Sequence, residues 1–230
     1  MAIGNSVNDE IREQHQLIMK NKTFKEKVAY FAGYYWKQAL AVIVVLIFAG
    51  SMIHTMVTRK EEALQVMFIN TFVKDDLDVE AYEMEISDYL GIDTKKYEVI
   101  MTTGTWIDYE NMDELSVANL QKVIVEFAGS TLDVAIIDDA YLENNKQSDM
   151  LSDLNDILPA EFLEKYADRV IYTDVADDEK GSFPVGIDVS DSVILEGGGL
   201  EAYYCFAYNT THLDYAISYL EYLLDGIENQ

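Results

Sequence analysis

The sequence predicts an α/β domain, arranged as three layers around a mainly parallel sheet and preceded by a single membrane-spanning helix. Two observations lead to this fold class. Residues 38–58 form an uncharged run of 21 residues, which is long enough to cross a bilayer as a helix. Beyond this run, patterns typical of buried strands alternate with patterns typical of amphipathic helices, and that order indicates right-handed βαβ units.

The uncharged run is bracketed by Lys37 on one side and by Arg59 and Lys60 on the other. At 1.5 Å per residue its helix would reach about 31 Å. A cleaved signal peptide fits less well, because 37 residues precede the run and the apolar stretch of a signal spans only about 7–15 residues. A buried core helix of a soluble protein rarely has so long an uncharged run. We therefore expect a tail at 1–37, a transmembrane helix at 38–58 and a folded domain at 61–230.

Basic residues flank the predicted span unequally. Five lie on the N-terminal side and three on the C-terminal side: Lys20, Lys22, Lys25, Lys27 and Lys37 against Arg59, Lys60 and Lys74. Cytoplasmic flanks carry the excess of basic residues. The tail is thus predicted to be cytoplasmic and the domain extracellular, in a single-pass protein of the cell membrane.

The domain is strongly acidic. Residues 61–230 hold 8 Lys or Arg against 38 Asp or Glu, a net charge of −30. Such a charge repels nucleic acid and anionic lipid headgroups and attracts basic protein surfaces. Nucleic acid is therefore not an expected partner. The chain has a single cysteine, Cys205, so it forms no internal disulfide.

Three strand patterns separated by two helical patterns open the domain. The strands are predicted at 64–71, 97–103 and 132–137. We expect Asp75 or Asp76 to cap the first helix and Ser116 to cap the second. Strands joined by helices in this order should lie parallel in one sheet.

The second half of the domain is less regular. Its predicted elements are a short helix at 151–158, a helix from Pro159 to 167 and strands at 170–173 and 202–208. Residues 185–195 have a strand-like alternation that Asp188 and Asp191 interrupt. The inner face of the closing helix includes Leu213, Ile217, Leu220, Leu224 and Ile227.

Catalytic motifs are absent from the sequence. It contains no phosphate-binding glycine loop and no GxSxG nucleophile motif. His212 and Cys205 are the only histidine and cysteine of the domain, so a zinc site of His or Cys type is not expected. We predict neither a cofactor nor an enzyme. A hydrolase that uses a pair of carboxylates is the form that catalysis would take.

A candidate ligand site follows the predicted parallel strands. Open α/β sheets bind ligands at the carboxyl ends of their strands. The polar residues found there are Asn70, Thr71, Thr103, Thr105, Asp138 and Asp139. The alternative interpretation is that strand ends are always rich in turn residues.

A second cluster, in the loop at 174–182, includes Asp174, Asp177 and Asp178, which could bind Ca²⁺. These three lack the alternation of an EF-hand loop, so a solvated acidic loop is the favoured interpretation.

Two stretches, at 132–166 (LDVAIIDDAYLENNKQSDMLSDLNDILPAEFLEKY) and 204–224 (YCFAYNTTHLDYAISYLEYLL), resemble the extracellular solute-binding proteins of ABC importers. The resemblance implies one lobe of a periplasmic-binding-protein-like fold. Members of that family insert a second lobe before the chain returns, whereas only 13 residues, 189–201, are available here. The resemblance therefore implies a single-lobe relative that lacks the closing half of the ligand clamp.

The sequence thus favours a membrane-anchored, extracellular interaction module, which would be a non-catalytic component of a cell-surface or transporter-associated assembly. Its expected partner is another membrane or cell-surface protein with a basic surface. The alternatives are a weak receptor for a solute or Ca²⁺ and, less favoured, a carboxylate-based hydrolase.

Overall fold

The computed structural model describes residues 12–13, 16–17, 20, 23–145, 148–173, 181–195 and 201–228. The chain divides into two compact units, Met1–Arg59 and Lys60–Gln230.

The first unit contains one long helix, α1, at Phe24–Thr58. Glu26 accepts hydrogen bonds from the backbone amide and the hydroxyl of Thr23, at 2.8 and 2.9 Å, and so fixes the start of the helix. Within the described residues, α1 is the one helix long and apolar enough to cross a membrane, over Trp36–Met56 with a mean hydropathy of 2.3 and none of its span buried. The expected apolar helix is therefore present, while its membrane and its orientation stay predictions.

The second unit is built on a six-stranded sheet. Its strands are β1 Glu61–Ile69, β2 Tyr97–Thr105, β3 Val134–Ile137, β4 Val170–Tyr172, β5 Pro184–Asp188 and β6 Tyr203–Phe206. They lie in the order β2-β1-β3-β6-β5-β4. As predicted, β1 pairs in parallel with both β2 and β3.

Six helices of the described residues connect or follow these strands. They are α2 Val79–Tyr89, α3 Glu114–Ala128, α4 Asp139–Asn145, α5 Leu154–Ile157, α6 Ala160–Lys165 and α7 Leu213–Glu228. The predicted caps are displaced by two or three residues. Asp78 caps α2 and Asp113 caps α3, and Ser116 lies inside α3 with its amide donating to Asp113.

The expectation of a mainly parallel sheet is wrong for the second half of the domain. Strands β6, β5 and β4 are joined by antiparallel pairing to β3 and to one another. A parallel neighbour needs a crossover connection of a dozen or more residues, usually a helix. Only 11 residues, 173–183, separate β4 from β5, which is too few for such a crossover, so β5 returns beside β4 in the opposite direction.

Apolar side chains cover both faces of the sheet. Along β1, alternate side chains point to opposite faces, so Leu64, Val66 and Phe68 pack with α2 and α7, while Met67 and Ile69 pack with α3 and α4. The domain is therefore a helix–sheet–helix sandwich, and β1 is the second strand from one edge of its sheet.

Candidate functional site

Strands β1, β2 and β3 end at the same edge of the sheet, here called the carboxyl edge. Asn70 and Thr71 directly follow β1, Thr105 is the last residue of β2, and Asp138 directly follows β3. Asp139 is the first residue of α4. The remaining candidate, Thr103, lies within β2 and is partly exposed.

Asn70 connects the ends of β1 and β2. Its backbone has a positive φ of 55°, a conformation that asparagine tolerates better than most residues. Its side chain accepts a hydrogen bond from the amide of Ile107 (2.7 Å) and donates one to the carbonyl of the same residue (3.1 Å). Both side-chain groups are thus engaged within the protein, so Asn70 shapes this edge.

Thr71 and Thr105 also serve the structure of this edge. Both are buried. The Thr71 hydroxyl donates to the carbonyl of Ile136 in β3 (3.1 Å), and the Thr105 carbonyl accepts from the amide of Asn70 (2.9 Å). These bonds fasten β1 to both of its neighbours. Whether these residues or Thr103 contact a ligand stays a prediction.

Asp138 and Asp139 differ in environment. Asp138 is half-buried and accepts a hydrogen bond from the amide of Tyr141 (2.7 Å) at the start of α4. Burial raises its pKa, and the neighbouring Asp139 adds to the rise, although hydrogen bonds from Tyr141 and Asn70 oppose it. Asp139 is exposed. This edge therefore carries one free carboxylate beside one held partly out of solvent.

Sequence reasoning missed two exposed aromatic residues at the carboxyl edge, Phe72 and Trp106. Their rings stack with centroids 5.4 Å apart and an interplanar angle of 29°. They remain 42% and 44% exposed. A signal was present in the sequence, because each follows a polar strand-end residue directly, Thr71 in one case and Thr105 in the other.

A second polar cluster is centred on Asp133, which is 1% exposed and immediately precedes β3. Its carboxylate accepts hydrogen bonds from the amide of Gln65 (2.9 Å) and the hydroxyl of Thr210 (2.6 Å). It also lies 3.2 Å from Nδ1 of His212. The His212 ring is one-third exposed, and the residue helps hold the start of α7 against β3.

Metal binding has no structural counterpart in the described residues. Asp174, Asp177 and Asp178 lie outside them. In the part of the chain that the structure describes, no group of three or more His, Cys, Asp or Glu residues could hold a metal ion. Cys205 is buried in β6, and burial raises the pKa of its thiol, which keeps it protonated.

No protein-family model matches this chain, and no curated protein or solved structure is significantly similar to it. The resemblance to extracellular solute-binding proteins thus gains no support from these comparisons. What the chain has is a mixed α/β domain and one apolar helix of membrane-spanning length.

Proposed function

We propose that this protein is a membrane-anchored, extracellular interaction module that contacts a partner protein through the carboxyl edge of its sheet. The observation that carries the proposal is the stacked, exposed pair of Phe72 and Trp106. Large aromatic side chains are enriched among the residues that dominate binding energy at protein interfaces.

The aromatic pair is held in place before any partner arrives. The double hydrogen bond between Asn70 and Ile107 fixes the chain on one side of Trp106. The side-chain amide of Asn119 donates to the carbonyl of Trp106 itself (2.8 Å). A surface that is already ordered loses little conformational entropy on binding. This favours recognition by a preformed surface.

The charge of the domain favours a basic partner. A net charge of −30 over residues 61–230 would raise the rate at which basic surfaces encounter the domain. Only Arg59 and Lys60 separate α1 from β1. A helix held in a bilayer would confine the domain to the membrane surface, so the expected partner is another membrane or cell-surface protein. Catalysis has no part in this proposal.

The interaction surface can be tested by cross-linking in membranes at low and at high salt. The tagged full-length protein is then captured from each reaction. We expect Trp106→Ala and Phe72→Ala each to reduce the cross-linked partner at least about tenfold, the effect of losing roughly 1.4 kcal/mol. Tyr172→Ala is the matched control, since Tyr172 is an exposed aromatic residue on β4. Equal losses in all three variants would contradict the proposal.

The same preparation separates the interaction module from a receptor for small ligands. The half-buried Asp138 beside Asn70 is what favours that second candidate. If no partner is captured, and calorimetry detects binding of a sugar, a peptide or Ca²⁺ that Asp138→Ala abolishes, the receptor function replaces the module.

Topology can be tested with protease added to intact cells that express the full chain. We expect the protease to remove residues 61–230 and to leave the N-terminal tail intact. A domain that is fully protected in intact cells and digested after lysis would reverse the orientation.

A further inference from the structure

A groove runs along the open edge of the sheet, between β2 and α2. Its volume is about 360 Å³. Glu80, Glu83 and Met84 of α2 line one wall, and Tyr97 and Val99 of β2 line the other. Strand β2 is the outermost strand on this side and pairs only with β1. The groove thus lies beside the first half of an unpaired strand edge, on which Val99 and Met101 are only 3% and 7% exposed.

The outward-facing backbone groups of β2 follow from its hydrogen bonds. The carbonyl of Lys96 accepts from Glu61 in β1 and therefore points inward, while the amide of Met101 points outward to Glu83. Backbone direction alternates along a strand, so Val99 also presents its amide and carbonyl outward. The alternation is not carried on to Thr103, because the register shifts between Thr102 and Thr105. Tyr97 closes one end of this row, because its amide donates to Asp93 (3.0 Å).

Glu83 occupies the place of a missing strand. Its carboxylate accepts a hydrogen bond from the Met101 amide at 2.7 Å, which is the bond that a neighbouring strand's carbonyl would otherwise make. Proteins often protect an exposed strand edge with a charged side chain of this kind. An incoming strand can take over the bond, and the released carboxylate is then available to a basic side chain on that strand.

The charges around the groove select the occupant. Four carboxylates line it, those of Glu80, Glu83, Asp88 and Glu98, against the single ammonium group of Lys60. A second copy of this chain would bring the same carboxylates face to face, so edge-to-edge pairing of two β2 strands is unfavourable. A basic segment would meet opposite charges instead. The other edge strand, β4, has only three residues and offers a much shorter template.

We propose that β2 accepts an additional β-strand, formed by an extended basic segment of a partner protein that lies in the groove beside α2. Main-chain hydrogen bonds to Val99 and Met101, formed when the incoming strand displaces Glu83, would supply affinity, and Glu83 and Glu98 would pair with basic side chains at alternate positions. This surface is separate from the Phe72–Trp106 pair, so either proposal can fail without the other.

Two synthetic peptides of identical charge test the strand addition. One alternates lysine and valine over six residues; the other has the same sequence with alternate backbone amides methylated, so that it cannot form a ladder. With the full-length chain in a neutral detergent, we expect the first to bind at least about tenfold more tightly, as two or more additional hydrogen bonds would give. Equal affinity of both peptides, or no binding of either, would overturn the proposal.

Hydrogen exchange locates the peptide. The first peptide should slow exchange at the amide of Val99, and the methylated peptide should not. Glu83→Gln should weaken binding of the first peptide several-fold, whereas Glu221→Gln, which removes an exposed charge from α7, should leave it unchanged. Binding without protection of the Val99 amide, or equal effects of the two substitutions, would mean that the peptide responds only to net charge.

Discussion

At the scale of single residues, the domain accommodates a buried charge by surrounding it with donors. Asp133 joins three parts of the fold, because its carboxylate accepts from Gln65 in β1 and from Thr210 and His212 ahead of α7. A buried carboxylate without such partners would be strongly destabilising. The arrangement therefore makes Asp133 a structural residue.

We expect Asp133→Ala to lower the free energy of unfolding by about 2–4 kcal/mol, because it leaves the buried amide of Gln65 without an acceptor. Chemical denaturation of the full-length protein in a neutral detergent measures the change. Asp76→Ala, at an exposed position, is the matched control and should alter stability by less than about 0.5 kcal/mol. Similar effects of the two substitutions would show that the Asp133 network contributes little.

Asp138, unlike Asp133, should lower the stability of the folded domain at neutral pH. Burial raises its pKa in the folded state, so its ionised form is less favourable there than in the unfolded chain. Asp138→Asn keeps an acceptor for the Tyr141 amide and removes the charge. We expect the variant to be slightly more stable than the parent at pH 7, and the difference to vanish as the pH falls below the ordinary aspartate range. Thermal unfolding across this range is the measurement, and a less stable variant at pH 7 would contradict the assignment.

The positions of the candidate site residues could be read from the sequence, but their roles could not. Strand ends predicted that Asn70, Thr71 and Asp138 would share one edge. Whether a side chain turns inward depends on which backbone groups the neighbouring strand leaves unpaired, as with Asn70 and Ile107. The burial of Asp133 was missed for the same reason, because a single acid beside an apolar strand is expected from the sequence to be exposed.

At the scale of elements, strand β5 approaches β6 closely because Gly186 has no side chain. A Cβ at this position would lie 2.9 Å from Sγ of Cys205, closer than real contacts allow, with the Tyr203 Cβ and the Tyr204 carbonyl at 3.4 Å. Gly186 thus sets the spacing at the centre of the antiparallel half of the sheet.

Gly186→Ala should lower the free energy of unfolding by about 1–3 kcal/mol through overpacking. Adding Cys205→Ala removes the atom in closest contact, so the double variant should lose at least about 0.5 kcal/mol less than the sum of the single effects. Gly226→Ala is the control, because no atom lies within 4 Å of its added Cβ in α7, and alanine there should be neutral or slightly stabilising. Additive effects of the first two substitutions would contradict the contact.

Most elements were predictable, including the short ones at Leu154–Ile157, Ala160–Lys165 and Val170–Tyr172, whereas the helix Asp139–Asn145 was not. Helices α2 and α3 and strands β1 to β3 follow from apolar spacing alone. Their caps were displaced because several capping residues stand close together before each helix, for example Asp75, Asp76 and Asp78. The alternation over 185–195 is interrupted at Asp188 in the sequence, and β5 ends at this residue, whose carboxylate accepts from the amide and hydroxyl of Ser190 and turns the chain.

At the scale of the whole molecule, repulsion among the acids of residues 61–230 opposes folding. Dissolved salt screens it over about 10 Å at 0.1 M. We expect the unfolding temperature of the full-length protein in neutral detergent to rise by at least about 2–4 °C between 10 and 200 mM sodium chloride, which corresponds to roughly 1 kcal/mol in a domain of this size. A temperature that stays constant or falls would indicate that the charges are already neutralised locally.

Strand direction is the whole-molecule property that the sequence left undetermined. Helical connections between β1, β2 and β3 required parallel pairing, and the sheet has it. From β4 onward, the direction of each strand depends on the length of the connection before it. The position of the returning strand β6 beside β3 is decided by packing across the whole domain.

The connection of α1 to β1 through two residues has a mechanical consequence. Tension between a helix held in lipid and a bound partner would pass along the covalent chain directly into β1. This strand is hydrogen-bonded on both sides, to β2 and to β3. Force along its axis loads both ladders in shear, whereas the same force on an edge strand would load only one ladder. In a membrane-anchored chain, the domain would therefore be attached through a strand that resists pulling.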